Sequence, residues 1–242
     1  MRVAVITDIH GNLHALEAVL EAIDGEAPDA IWCLGDVIGY GPRPNECCTL
    51  VSERTDVCLV GNHDLGSLGR LELDDFSNDA AAAARWTNTV LEDESRRFLE
   101  SLDPSGAAET VALYHASPRD PVWEYVLSPE VAAAAFETDP SQLILVGHSH
   151  VPLSLKLAGE KVEGGLAPGG TEVSFDGTRW LLNPGAVGQP RDGDPRAAWL
   201  LLDLEAGTAS FRRTEYPIEL TQAEIREHGL PETLAGRLQL GI

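Results

Sequence analysis

The spacing of apolar and polar positions switches repeatedly between two periods along the first 150 residues, and each switch marks an element. "RVAVI" (2–6) is apolar without a break after its first residue and reads as a buried strand. Leu13, Leu16, Val19, Leu20 and Ile23 then recur at helical spacing and predict an amphipathic helix over 13–24. "AIWCL" (30–34) is a second strand, Pro44 opens a helix that runs to about residue 53, and "DVCLV" (56–60) is a third strand. The order βαβαβ argues for parallel strands joined by crossover helices. Two helices follow over about 78–91 and 93–102, and the alanine run in the first is a helix former rather than a linker. "TVALYH" (110–115) is a strand, Ser128 and Pro129 start another helix, and "QLILV" (142–146) is a further strand. Beyond residue 150 the texture becomes short strands broken by glycine turns, with hairpins expected at 176–178 and 205–207. That half reads as antiparallel. Helical patterns return over 221–228 and 231–239. No Pro/Ser-rich linker or repeat interrupts the chain, so a single domain over 1–242, with a helical tail from about 218, is expected.

Composition narrows the class. At 242 residues and 43% hydrophobic, the chain can bury a substantial core. No apolar run is long enough to span a membrane, and the short apolar run at the N-terminus breaks into Asp, His, Gly and Asn without a cleavage signal. A soluble, cytoplasmic protein with no membrane partner is expected. Cys33, Cys47, Cys48 and Cys58 form no C-x-x-C pair and read as free thiols in a reducing compartment. The 39 acidic residues against 17 basic give a net charge of −22. Such a surface repels a polyanion and argues against an extended nucleic-acid partner. Handling a small phosphate would call for local positive charge.

The strands share a feature: each stops at a polar turn. "VAVITDIHGN" ends in Asp8 and His10, "IWCLGDVIGYG" in Asp36, "VCLVGNHD" in Asn62, His63 and Asp64, "VALYHASP" in His115, and "LILVGHSH" in His148 and His150. Open α/β sheets bind ligands beyond the carboxyl ends of their strands. Strands lying side by side would gather these groups at one edge. In an extended segment residues i and i+2 face the same way, so His148 and His150 could reach one object. Taken singly, each motif is ordinary turn chemistry or a buried histidine. Jointly they place five of the chain's seven histidines at strand ends, which points to a metal site. His14 and His228 sit on helix patterns and read as structural.

The ordered set D-x-H, GDxxG, GNHD, a single His and GHxH resembles the calcineurin-like metallophosphoesterase superfamily. "LNPGAVGQPRDGDPRAAWLLLD" (182–203) looks like the tail of its small single-domain bacterial branch, which includes the YfcE-like phosphodiesterases. The resemblance runs from residue 2 to about 216. It implies an α/β fold in which two mixed β-sheets pack face to face with helices outside, an αββα sandwich. It also implies two divalent cations. Asp8, His10 and His150 would hold the first, Asn62, His115 and His148 the second, and Asp36 would bridge them. These ligand types suit Mn, Fe, Zn, Co or Ni better than Ca. The activity implied is hydrolysis of a phosphoester, with a phosphodiester favoured, by a hydroxide formed between the cations. Phosphomonoesters and dinucleoside polyphosphates are the alternative substrates, and a nuclease is a weaker one. The same resemblance makes His63 the general acid, with Asp64 setting its tautomer and raising its pKa. Tyr40 and Arg43 after Asp36, Arg119 after His115, and Arg191 after a glycine-rich turn are candidates for binding the substrate's phosphate. A small phosphorylated molecule is therefore the expected partner. A homo-oligomer is permitted by the sequence and not required by it. A metal-free scaffold is the competing class, and it would show replaced ligands, whereas here every ligand position is filled.

Overall fold

The computed structural model describes residues 1–175 and 177–242. The chain opens with β1 (Arg2–Ile6), α1 (Leu13–Glu26), β2 (Ala30–Cys33), α2 (Pro44–Arg54) and β3 (Val57–Cys58). Three helices follow: α3 (Asn62–Ser67), α4 (Asn78–Val90) and α5 (Asp93–Glu100). Then come β4 (Ser105–Ala108), β5 (Val111–Tyr114), α6 (Pro129–Thr138) and β6 (Leu143–Leu145). Six strands complete the sheets: β7 (Leu153–Ala158), β8 (Lys161–Leu166), β9 (Glu172–Ser174), β10 (Arg179–Asn183), β11 (Ala197–Asp203) and β12 (Thr208–Thr214). A helical hairpin, α7 (Ile218–Glu227) and α8 (Glu232–Leu238), ends the chain.

The strands form two six-stranded mixed sheets, ordered β3-β2-β1-β11-β12-β9 and β4-β5-β6-β10-β7-β8. The alternation in β1 shows how they stack. Val3 and Val5 pack into the layer between the sheets with Leu113, Leu145, Leu182 and Phe211. Ala4 and Ile6 face the other way, onto Leu16, Val19 and Ile23 of α1. On the far side, Ala132, Ala135 and Phe136 of α6 cover Ile144 and Leu181. These are the layers of an αββα sandwich.

The two mixed sheets are as expected: β11 joins β1 antiparallel and β10 joins β6 parallel, so each sheet combines early and late strands. Element detail differs from expectation. The third strand is two residues long, because Val60 turns its N–H to the carbonyl of Asp103. Two elements carried no signal: α3, which starts inside the GNHD motif, and β4, whose "SGAA" lacks β-branched residues. The helices over 13–26, 44–54, 78–90, 93–100 and 129–138 fall close to their expected places. The 205–207 turn links β11 to β12, whereas the 176–178 hairpin includes Asp176, outside the described residues. Among the described residues no helix is long and apolar enough to cross a membrane.

The tail packs where it matters for the site. Ile225, Leu234 and Leu238 bury against Tyr40, Ala80 and Ala83, which seats α7 and α8 over the loop that follows β2.

Candidate metal centre and its cleft

The carboxyl ends of β1, β2 and β3 in one sheet meet those of β5 and β6 in the other, so the polar turns converge from two sheets rather than from one edge. Asp8 stitches them together: its Oδ2 accepts from the Thr7 hydroxyl (3.0 Å) and from the His148 N–H (3.1 Å). The convergence relies on unusual backbone. Asp8, His10, Asp36, Tyr40, His148 and His150 all have φ between 53° and 63°. For a residue with a Cβ this left-handed region costs roughly 1–3 kcal/mol and persists only where surrounding contacts impose it. The HxH pair is thus a turn and not an extended segment, and strand alternation does not account for the shared direction of its imidazoles. Close packing takes over. A Cβ on Gly61 would lie 2.0 Å from Asp36 Oδ1, and one on Gly147 would lie 2.3 Å from Thr7 Oγ1. Asn183, in the "LNPG" segment, braces the turn from behind by donating to Gly147 O (2.7 Å) and Ser149 Oγ (3.0 Å).

All seven expected ligands come together and are buried. The Nδ1 atoms of His10, His115 and His150 face backbone carbonyls of Ile38 (3.3 Å), Leu34 (2.9 Å) and Gln189 (2.6 Å). A carbonyl only accepts, so each Nδ1 carries the proton and each Nε2 presents a lone pair inward. For His148 the roles swap: Nε2 faces the carbonyl of Trp123 (3.2 Å), leaving Nδ1 as the lone-pair nitrogen. His10 Nε2 and His150 Nε2 then lie 3.0 Å apart, two acceptors with no proton between them. Asp36 Oδ2 lies 3.6 Å from both His10 Nε2 and His115 Nε2. Asp8 Oδ1 is 3.4 Å from His150 Nε2, and Asn62 Oδ1 is 3.2 Å from His115 Nε2. Asp8 Oδ1 and Asp36 Oδ2 are buried and have no hydrogen-bond partner.

Two ligand sets result, Asp8–His10–Asp36–His150 and Asp36–His115–His148, sharing Asp36. Burial pushes the Asp8 carboxyl up to about 7 and the Asp36 carboxyl well above the usual carboxylate range. It also holds the imidazoles of His10 and His150 well below theirs. Burial keeps these carboxyl groups and imidazoles neutral on their own, so the carboxylates would ionise here only beside a positive charge from outside the chain. Lone pairs and orphaned oxygens converging on shared points fit divalent cations.

His63 and Asp64 part ways. His63 N–H donates to Asp36 Oδ1 (2.9 Å), while its ring stands against Tyr40 (4.3 Å) and Phe76 (5.1 Å), and its buried Nδ1 has no partner. Asp64 points elsewhere: Oδ1 accepts from Ile38 N–H and Oδ2 from Gly61 N–H, both at 2.9 Å. The expectation that Asp64 orients His63 and raises its pKa is therefore corrected. Asp64 ties the β2 and β3 loops together, and burial, followed by Arg191, holds His63 well below its ordinary value.

A cleft of about 260 Å³ opens beside His63, lined by Tyr40, Asn62, Phe76, Trp123, Tyr125, Arg191 and Arg237, among others. Of the four substrate-binding candidates, Tyr40 and Arg191 line it. Arg43 and Arg119 do not. Arg43 is held by Glu224 (2.7 Å) and Glu46 (3.0 Å), and Arg119 by Glu124. Among the described residues neither Arg119 nor Arg191 forms an ion pair with the aspartate that follows it in sequence. Sequence reasoning missed Arg237, which reaches the cleft from α8. Only tertiary packing reveals it.

Comparison with known proteins agrees with this geometry. The calcineurin-like phosphoesterase superfamily domain matches residues 1–207. An uncharacterized protein of Methanocaldococcus jannaschii is 40% identical over 245 residues, covering 99% of this chain and 98% of its own length. The crystal structure of a metallophosphoesterase from Sphaerobacter thermophilus superposes with a TM-score of 0.91 at 43% identity, over 100% of this chain and 99% of that one. Phosphodiesterase YfcE of Escherichia coli is 24% identical over 213 residues, 84% of this chain and 88% of its own.

Proposed function

The chain belongs to the calcineurin-like phosphoesterase superfamily, a phosphoric ester hydrolase family that uses divalent metals, and from that premise we propose that it is a two-cation phosphodiesterase acting on a small organic phosphate. One observation carries the reading: Asp36 Oδ2, buried and unpartnered, stands equidistant from His10 Nε2 and His115 Nε2. Asp8, His10 and His150 would hold one cation and Asn62, His115 and His148 another, and Asp36, common to both groups, would serve the two. Bound there, the cations supply Lewis acidity toward phosphoryl oxygens and lower the pKa of a coordinated water. Manganese, iron, zinc, cobalt and nickel all suit this donor set.

The remaining work falls to the chain's own groups. His63 lines the cleft as a neutral imidazole. Entry of an anionic phosphate would favour its protonation, and the imidazolium, unsupported by any carboxylate, would be a strong acid toward the leaving oxygen. Tyr40 and Arg191 face the substrate from the same wall. Phe76 and Trp123, whose rings meet edge-on at 5.0 Å, also line the cleft. The name of the E. coli relative favours a diester over a monoester. The four free cysteines suit a reducing, cytoplasmic setting.

The test is hydrolysis of bis-p-nitrophenyl phosphate against p-nitrophenyl phosphate with added manganese. The diester should be cleaved with a kcat/KM at least roughly ten-fold higher, about 1.4 kcal/mol of transition-state preference. A monoester preference, or hydrolysis of neither, would overturn the reading.

A further inference from the structure

The imidazoles of the two ligand sets are anchored unequally. His10, His115 and His150 rest Nδ1 on the carbonyls of Ile38, Leu34 and Gln189, all of them buried residues. His148 is the exception. Its Nε2–H donates to the carbonyl of Trp123 (3.2 Å), a half-buried residue in the 115–128 connection between β5 and α6. Asp120 shapes the turn that presents this carbonyl, because its Oδ1 accepts from the N–H groups of Val122 (3.0 Å) and Trp123 (3.1 Å). Two residues on, the Tyr125 ring lies nearly flat on the His148 imidazole, with centroids 4.0 Å apart and planes at 19°. Tyr125 is 46% exposed, and His148 beneath it only 3%.

The two sets also differ in charge. Asp8 and Asp36 both serve the first, whereas Asp36 is the one carboxylate of the second. Fewer charged ligands, and an anchor on a surface connection, mean a weaker hold on a cation. Resting on the two-cation reading above, we propose that Tyr125 is a positioning residue for the second cation, whose ring, together with the Trp123 carbonyl, keeps His148 turned with Nδ1 toward Asp36 and His115. The torsion about the Cβ–Cγ bond of histidine is soft. A half-turn of the ring would replace Nδ1 by a C–H and put another C–H where Nε2 now donates. The Trp123 carbonyl opposes that end state, and Tyr125, lying on the face of the ring, opposes every angle between. Among the described residues Tyr125 stacks on His148 and on no other of the seven ligands. The 115–128 connection therefore governs occupancy of the second site alone.

Titration of chelator-treated protein with manganese, followed by calorimetry and electron paramagnetic resonance, tests this without turnover. The wild type should take up two ions, the second more weakly, and show the exchange-coupled spectrum of a pair. Tyr125→Ala should weaken the second ion by about ten-fold or more and leave the first within about two-fold, so that an isolated-ion spectrum persists where the wild type shows the pair. Tyr125→Phe, which keeps the stacking ring, should restore the pair, and Leu127→Ala, at another exposed position of the same connection, should match the wild type. An undiminished second ion in Tyr125→Ala, or equal weakening of both ions, would overturn the positioning role. So would Tyr125→Phe or Leu127→Ala behaving like Tyr125→Ala. Uptake of fewer than two ions by the wild type would overturn the two-cation reading and this proposal with it. Two bound ions without hydrolysis of bis-p-nitrophenyl phosphate would overturn the phosphodiesterase reading alone.

Discussion

At the scale of the residue, a polar side chain's role here follows from what its second polar atom touches. His10, His115 and His150 each commit Nδ1 to a carbonyl and aim Nε2 inward. His63 commits neither to a carboxylate nor to a carbonyl. Replacing His63 with Asn should therefore leave metal content unchanged and lower kcat by about 10²–10³. Full turnover by the metal-loaded variant would remove the acid role. Asp64→Asn should behave differently, because its carboxylate serves two backbone N–H groups. A loss of about 1–3 kcal/mol in urea unfolding is expected, with the pH–rate profile unmoved. A displaced profile would return Asp64 to the proton-transfer chemistry. The candidate ligands could be picked out because metal-binding residue types recur at strand ends in a fixed order. The direction of Asp64 could not, since adjacency to His63 in sequence says nothing about which way a side chain leaves the first turn of α3. The left-handed backbone of six site residues was hidden for a similar reason: tertiary contacts impose it against local preference.

At the scale of the element, the site is a set of loops held by a few side chains that reach far along the sequence. Asn12 caps α1 through Ala15 N–H (3.2 Å) and also donates to Gly188 O (2.9 Å), while Thr221 of α7 donates to its Oδ1 (2.8 Å). Asn12→Ala removes a helix cap and strands buried partners together, so a destabilisation of about 2–4 kcal/mol is expected from denaturant unfolding. A loss below about 0.5 kcal/mol would show that α1, the 188 loop and α7 are not coupled through it. Long periodic helices such as α1 and α4 were legible, and so was the β1–α1–β2–α2–β3 order. The sheet membership of β10 and β11 was not, because apolar strands buried on both faces carry no label for their neighbours. Arg237 was invisible for the same kind of reason. The pattern of α8 announces a helix, and only its packing on Tyr40 and Ala83 brings its arginine to the cleft.

At the scale of the whole molecule, an acidic protein has concentrated neutral imidazoles and costly carboxylates at one point between its sheets. Metal binding should then be linked to protons. Burial raises Asp8 to about 7, so in the metal-free folded protein it holds its proton below that pH and loses it above. An incoming cation expels the proton, and manganese affinity should rise with pH between about 5 and 8. Calorimetry at pH 6 in buffers of different ionisation enthalpy should show proton release that fades by about pH 8.5. Affinity that is flat across this range would mean Asp8 is not a ligand. Binding should also raise the unfolding midpoint, by mass action, to the extent of about 2.7 kcal/mol at a hundred-fold excess over Kd. The most direct measurement is the anomalous difference map of a crystal soaked in manganese. Two peaks should appear, both touching the Asp36 carboxylate, one beside His10 and His150 and the other beside His115 and His148. A map with no peak among these residues, or with manganese only away from Asp36, would contradict the account.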